Sequence, residues 1–211
     1  MKNQFQSFIS WINEQENKST YGCVMLDCKI DKWEENHLEG IDERDLYIDP
    51  GDDDYGYNEE PHVTLLYGIH EDEIDPEVIM EVIKKNMKPV TVTINEIGVF
   101  ENDKYDVVKY NVPATKQLRK YREMIENFPY TDDYPEYNPH LTIAYVKSGE
   151  GKKYAKKLEE PFEVTFNKGV YSFHETNEDG EVELIRKQHV FPDENKFKVD
   201  LDETGISGMH L

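Results

Sequence analysis

The sequence predicts an α+β chain of two related halves, and two observations carry that prediction. The first is a duplicated octapeptide: Pro61 to Gly68 read Pro-His-Val-Thr-Leu-Leu-Tyr-Gly, and Pro139 to Val146 read Pro-His-Leu-Thr-Ile-Ala-Tyr-Val. Pro, His, Thr and Tyr recur in place 78 residues apart with apolar residues between them, the mark of an internal structural repeat. The second is the setting of the copies. Alternating segments of strand character are interleaved with two stretches of helical periodicity, in a β-α-β-α-β order that is clear in the second half and degraded in the first. At 211 residues and 37% apolar content the chain can bury a core in one domain, residues 1–191, with lobes expected at roughly 20–105 and 106–191.

Each element has its own signal. Phe5, Phe8, Ile9 and Ile12 fall on one face of residues 2–17, an amphipathic helix and not a signal peptide. Tyr21 to Ile30 is dense in apolar and β-favouring residues and reads as a central strand. Residues 31–60 break the pattern with thirteen Asp and Glu against Lys32 and Arg44, a local balance of −11, and are expected to form a long active-site loop or lid. Asp75-Pro76 gives an N-cap and a first-turn proline for a helix to about Met87 with Ile79, Val82 and Ile83 inward. Val90 to Phe100 and Asp106 to Val112 alternate as strands, and Thr115 caps a helix on which Leu118, Tyr121, Ile125 and Phe128 recur. Glu150 to Glu160 reads as a short basic helix, and Phe162 to Phe173 with Glu181 to Val190 as a closing hairpin. Residues 192–211 form an acidic, glycine-spaced tail.

The chemistry lies in the repeats. Period-two alternation puts His62 and Thr64 on one strand face with Leu66, and His140 and Thr142 on one face with Ala144; Tyr67 and Tyr145 fall on the opposite, core face. At about 3.3 Å per residue each His stands roughly 6.6 Å from its Thr. Two halves facing across a cleft bring two imidazoles and two hydroxyls to one point. In-line displacement at phosphorus needs a base on the attacking oxygen and an acid on the leaving oxygen, roles that two histidines fill near neutral pH. Threonine hydroxyls then donate to the non-bridging oxygens, and neither metal nor cofactor is required. Tyr55 and Tyr57 precede one motif, and Tyr130, Tyr134 and Tyr137 the other; of these, Tyr55, Tyr57, Tyr134 and Tyr137 are the candidates for stacking a nucleobase.

Paired His-x-Thr tetrapeptides with apolar flanks resemble the 2H phosphoesterase superfamily, the LigT-like or 2'-5' RNA ligase family, over roughly residues 20–190. The resemblance implies two pseudo-symmetric lobes of mainly antiparallel sheet around a central cleft. It implies metal-independent phosphodiester chemistry on nucleotides or RNA, with His62, Thr64, His140 and Thr142 as the motif positions. Members act on 2',3'-cyclic phosphates, on 2'-5' oligoadenylates or, in bacteriophage members, on the cyclic oligonucleotide signals of bacterial CBASS immunity; this compact acidic chain resembles the last group most. A nucleotide sponge is the competing class, against which two intact proton carriers argue.

Charge bounds the substrate. A formal net charge of −21 repels long polyanions, whose non-specific binding rests on many Lys and Arg contacts to phosphate. Residues 84–157 alone are basic, with fourteen Lys and Arg against ten Asp and Glu. A nucleotide or short oligonucleotide is therefore the expected partner, and a long nucleic acid is not. No apolar run approaches the ~20 residues of a membrane span. Cys23 and Cys28 point to opposite strand faces without further soft ligands, which predicts two reduced thiols in a cytosol and no zinc.

Overall fold

The computed structural model describes residues 21–50, 55–131 and 136–192; the helix expected over 2–17, the tail beyond Pro192, and Tyr134 lie outside the described residues. The strands are β1 (Tyr21–Cys28), β2 (His62–His70), β3 (Val90–Phe100), β4 (Tyr105–Asn111), β5 (His140–Lys147), β6 (Lys156–Thr176) and β7 (Val182–Val190). Two helices join them, α1 (Pro76–Asn86) and α2 (Lys116–Ile125). The strands form one antiparallel sheet in the order β2-β1-β6-β3-β4-β5, with β7 added on β6.

The 21-residue strand β6 organises the whole. Phe166 pairs with Cys28 of β1 on one side and Val90 of β3 on the other; two residues on, Lys168 pairs with Asp27 of β1 and Val190 of β7. So β1 occupies one edge of β6, while β3 and β7 follow each other along the opposite edge. One wing consists of β2, β1, β7 and the end of β6; the other consists of β5, β4, β3 and its beginning. β3 and β4, on either side of residue 105, form a hairpin, and β7 completes the first wing from the far end of the chain.

The basic helix expected over 150–160 is absent. A single tight turn, Gly151–Tyr154, leads straight into β6, where Lys156 pairs with Ile97 and Lys157 with Glu96. Pro161 excludes a continuing helix, and Leu158, Phe162, Val164 and Phe166 alternate inward as a strand requires. Both capped helices form as the sequence dictates. The Asp75 carboxylate accepts from the Glu77 N–H and Thr115 Oγ1 from the Leu118 N–H. α1 buries Ile79, Met80 and Ile83 against β6 and β7, over Gly169, where a Cβ would come within 2.5 Å of Ile83. α2 buries Leu118, Tyr121 and Ile125 and packs on β2.

The two motif strands protect each other's free edges. Before β2, the chain runs beside β5: the Tyr47 N–H donates to Tyr145 O at 3.0 Å, the Tyr145 N–H to Gly56 O at 2.8 Å and the Asn58 N–H to Ile143 O at 2.9 Å. Before β5, it runs beside β2: the His70 N–H donates to Pro129 O at 3.0 Å and the Thr131 N–H to Gly68 O at 2.9 Å. Each approach segment thus satisfies the edge of the opposite copy, a sheet edge that would otherwise present unpaired backbone groups. The acidic stretch 31–60 is tied down in the same way and is no lid in its described part. Trp33, Leu38 and Ile41 are buried, the Trp33 indole donates to Asn58 O at 2.7 Å, and His37 stacks on Trp33 and bonds the Tyr110 hydroxyl.

Candidate active site

Strands β2 and β5 stand at opposite ends of the strand order, yet they touch, because the sheet curls until its two ends meet. The two histidines are held identically. His62 Nδ1 lies 2.9 Å from Glu60 O, and His140 Nδ1 lies 2.9 Å from Asn138 O, in both cases the carbonyl two residues upstream. A carbonyl only accepts, so each Nδ1 carries a proton and each Nε2 is left for chemistry.

The tyrosines of the repeat do not lie where simple alternation puts them. Thr64 pairs with Met25 and Leu66 with Val24, leaving Leu65 as an extra residue; Thr142 pairs with Lys109 and Ala144 with Val108, leaving Ile143 extra. Both strands therefore carry a β-bulge at the same repeat position. Leu65 and Leu66 are both buried, as are Ile143 and Ala144, and the next residue returns to the face of the His and Thr. Tyr67, 59% exposed, and Tyr145 accordingly line the cleft and are not core residues.

That cleft, about 560 Å³, is lined by Thr64, His140 and Thr142 together with aromatic side chains: Tyr67 and Tyr137 on one side, Phe100, Tyr105 and Tyr145 on the other. His62 stands beside the lining groups, close enough that its charge opposes protonation of His140. Tyr137, expected at the substrate, is in the wall with its ring against Arg122. Tyr55 is behind the wall, packed on Tyr105 and Tyr145 at 5.1 and 5.2 Å. Tyr57 faces elsewhere: its hydroxyl donates to Ile41 O and its ring borders a separate acidic hollow among Glu34, Glu39 and Glu43. No described residue of 31–60 lines the cleft.

The electrostatics make the two copies unequal. Burial, above all, holds the His140 imidazole below the ordinary histidine range; its bond to Asn138 O acts the other way, and the charges of Lys109 and His62 push it lower. Beside Thr64, burial pushes the Cys23 thiol up to about 12 despite its hydrogen bond with the threonine hydroxyl. Cys23 and Cys28 are free thiols. Among the described residues no three His, Cys, Asp or Glu side chains gather as a metal site, and no helix is long and apolar enough to cross a membrane.

The family model of the 2'-5' RNA ligase superfamily matches residues 34–180, which include both motifs. The chain belongs to this superfamily, the 2H phosphoesterases. Three solved structures are similar to it in fold. A phosphoesterase crystal structure aligns with a TM-score of 0.50 at 13% identity, over 82% of this chain and 99% of that one. LigT of E. coli complexed with 3'-AMP gives 0.50 at 12% identity, over 83% and 100%, and LigT complexed with NADP+ gives 0.51 at 12%, over 82% and 98%. No curated protein matches the sequence. Alternation missed Tyr67 and Tyr145; the signal that finds them is the apolar pair after each threonine, which a regular half-buried strand does not contain.

Proposed function

We propose that this 2H phosphoesterase is a phosphodiesterase that cleaves short or cyclic oligonucleotides by acid–base catalysis between its two histidines. The observation that carries the reading is the mirrored tether of each imidazole by its Nδ1–H, which keeps each Nε2 for chemistry, with His140 in the cleft lining and His62 near enough for its charge to act on it. His140, kept neutral by burial, takes the proton of the attacking hydroxyl or water on Nε2 as the new O–P bond forms. His62 serves as the acid, giving its Nε2 proton to the leaving oxygen as the old P–O bond breaks. Thr64 and Thr142 donate to the non-bridging oxygens, where negative charge accumulates. The slot between Tyr67, Tyr137, Phe100 and Tyr145 suits a stacked base, with Tyr55 supporting its wall.

The test is turnover and product identification on a panel of cyclic di- and trinucleotides, 2'-5' oligoadenylate and RNA ending in a 2',3'-cyclic phosphate. His62→Ala and His140→Ala are each expected to lower turnover at least about 100-fold, the scale of losing one proton carrier. Activity is expected to survive EDTA. Full activity in either variant, or chelator inactivation reversed by a divalent ion, overturns the mechanism; tight binding without product makes the protein a sponge.

A further inference from the structure

The register that makes the two copies alike also marks where they differ. Met25 stands opposite Thr64, and at the equivalent place opposite Thr142 stands Lys109, a lysine only 6% exposed. Its ammonium sits 4.1 Å from the centroid of Phe100, and the Phe100 ring meets His140 edge-on with centroids 4.9 Å apart. The ammonium therefore lies within about 9 Å of the imidazole, a range over which a charge inside a protein shifts a pKa by roughly half to one unit. The lysine is built in. It donates to Asn111 Oδ1, Asn111 donates in turn to Glu96, and Gly98 opposite Lys109 leaves the room, since a Cβ there would come within 2.6 Å of Asn111 Oδ1.

We propose that Lys109 is a positioning residue: a fixed positive charge under the cleft floor that holds His140 as the proton acceptor and leaves His62 to carry the proton. This rests on the reading of the two histidines given above. At the equivalent place in the first copy Met25 carries no charge beside Thr64; among the described residues the cations near that motif are Arg186, paired with Glu60, and Lys168, paired with Asp27. Among the described residues, the other charged groups around His140 are His62 on β2, Arg122 on α2, Glu101 after β3 and Glu136 before β5, with Glu96 on β3 reaching it through Asn111. Burial pulls the Lys109 ammonium below the ordinary lysine range and the Glu96 charge pulls it back; at His140 the Glu96 charge, opposite in sign, offsets part of the Lys109 effect.

The experiment is an NMR titration of the His140 imidazole in the full chain, assigned by comparison with His140→Ala and needing no substrate. Lys109→Met, which gives the second copy the side chain of the first, is expected to raise the His140 midpoint by roughly half to one pH unit. Glu96→Gln, which keeps an acceptor for Asn111 while removing the opposing charge, is expected to lower it. Opposite signs are what a charge produces and a packing defect does not. On an active substrate the acid limb of kcat/KM is expected to move the same way in each variant. An unchanged midpoint in both, or shifts of the same sign, overturns the proposal; should Lys109→Met not fold, the direction in Glu96→Gln decides alone. Because the titration is read without turnover, failure of the phosphodiesterase reading and failure of this one remain distinct results.

Discussion

A threonine hydroxyl in this cleft matters only as far as it meets charge that appears in the transition state. Thr64→Val and Thr142→Val keep size and branching and delete the donor, so each is expected to raise the barrier by about 2 to 4 kcal/mol, read as kcat at unchanged melting temperature. A normal kcat per folded molecule with a lowered melting temperature makes the threonines structural. The tyrosines divide differently: Tyr67→Ala, on an exposed ring of the cleft face, is expected to raise KM more than it lowers kcat. For pH, the sign follows from His140. Its folded value lies below that of a free histidine, so it stays a proton acceptor down to lower pH, and the acid limb of kcat/KM is expected below about pH 6.5. The same group favours folding above the unfolded histidine value and withdraws that support as pH falls, since the unfolded chain then binds the proton more readily. The His and Thr positions were legible because their identities repeat. Lys109 and Arg122 were not, since their places beside the cleft come from strand register and helix docking that no local pattern encodes.

Among the elements, the paired bulges are what convert a strand into a site. A regular strand would send Tyr67 and Tyr145 into the core, and the inserted Leu65 and Ile143 return them to the histidine face. β2 then turns again at Gly68, which has a φ of +95° and on which a Cβ would lie 1.9 Å from Thr131 O. Gly68→Ala strains that conformation and pushes apart the pairing with residues 129–131. It is expected to cost at least about 2 kcal/mol, or roughly 4 to 8 °C in melting temperature for a chain of this size, by calorimetry. An unchanged melting temperature removes that pairing from the forces holding the edge. Both helices were legible because caps and apolar spacing are local. The start of β6 was not: Lys152, Lys153, Lys156 and Lys157 read as a helix face, and what overrides them is Pro161 together with pairing to β3, some sixty residues earlier in the chain.

For the molecule as a whole, charge and shape point to small substrates. The cleft of about 560 Å³ has room for a base and its phosphate, while a chain with a net charge of −21 repels a polyanion that extends beyond it. A trinucleotide is therefore expected to give a higher kcat/KM than a structured RNA of about tRNA size, with a shallow salt dependence; preference for the large RNA with a steep salt slope overturns the argument. The two-part architecture was legible from the repeat, whereas the return of β7 to the first wing is a long-range pairing that no local pattern encodes. The continuous β6 also decides how the enzyme moves. Two domains joined by a linker open like jaws, but here one unbroken strand of 21 residues is bonded into both walls of the cleft, and bending it at Phe166 breaks pairs with β1 and β3 together. The walls are therefore expected to move as one body. Amide exchange near Phe166 is accordingly expected to be among the slowest in the protein and indifferent to ligand, so that substrate enters a cleft whose width the backbone has already set.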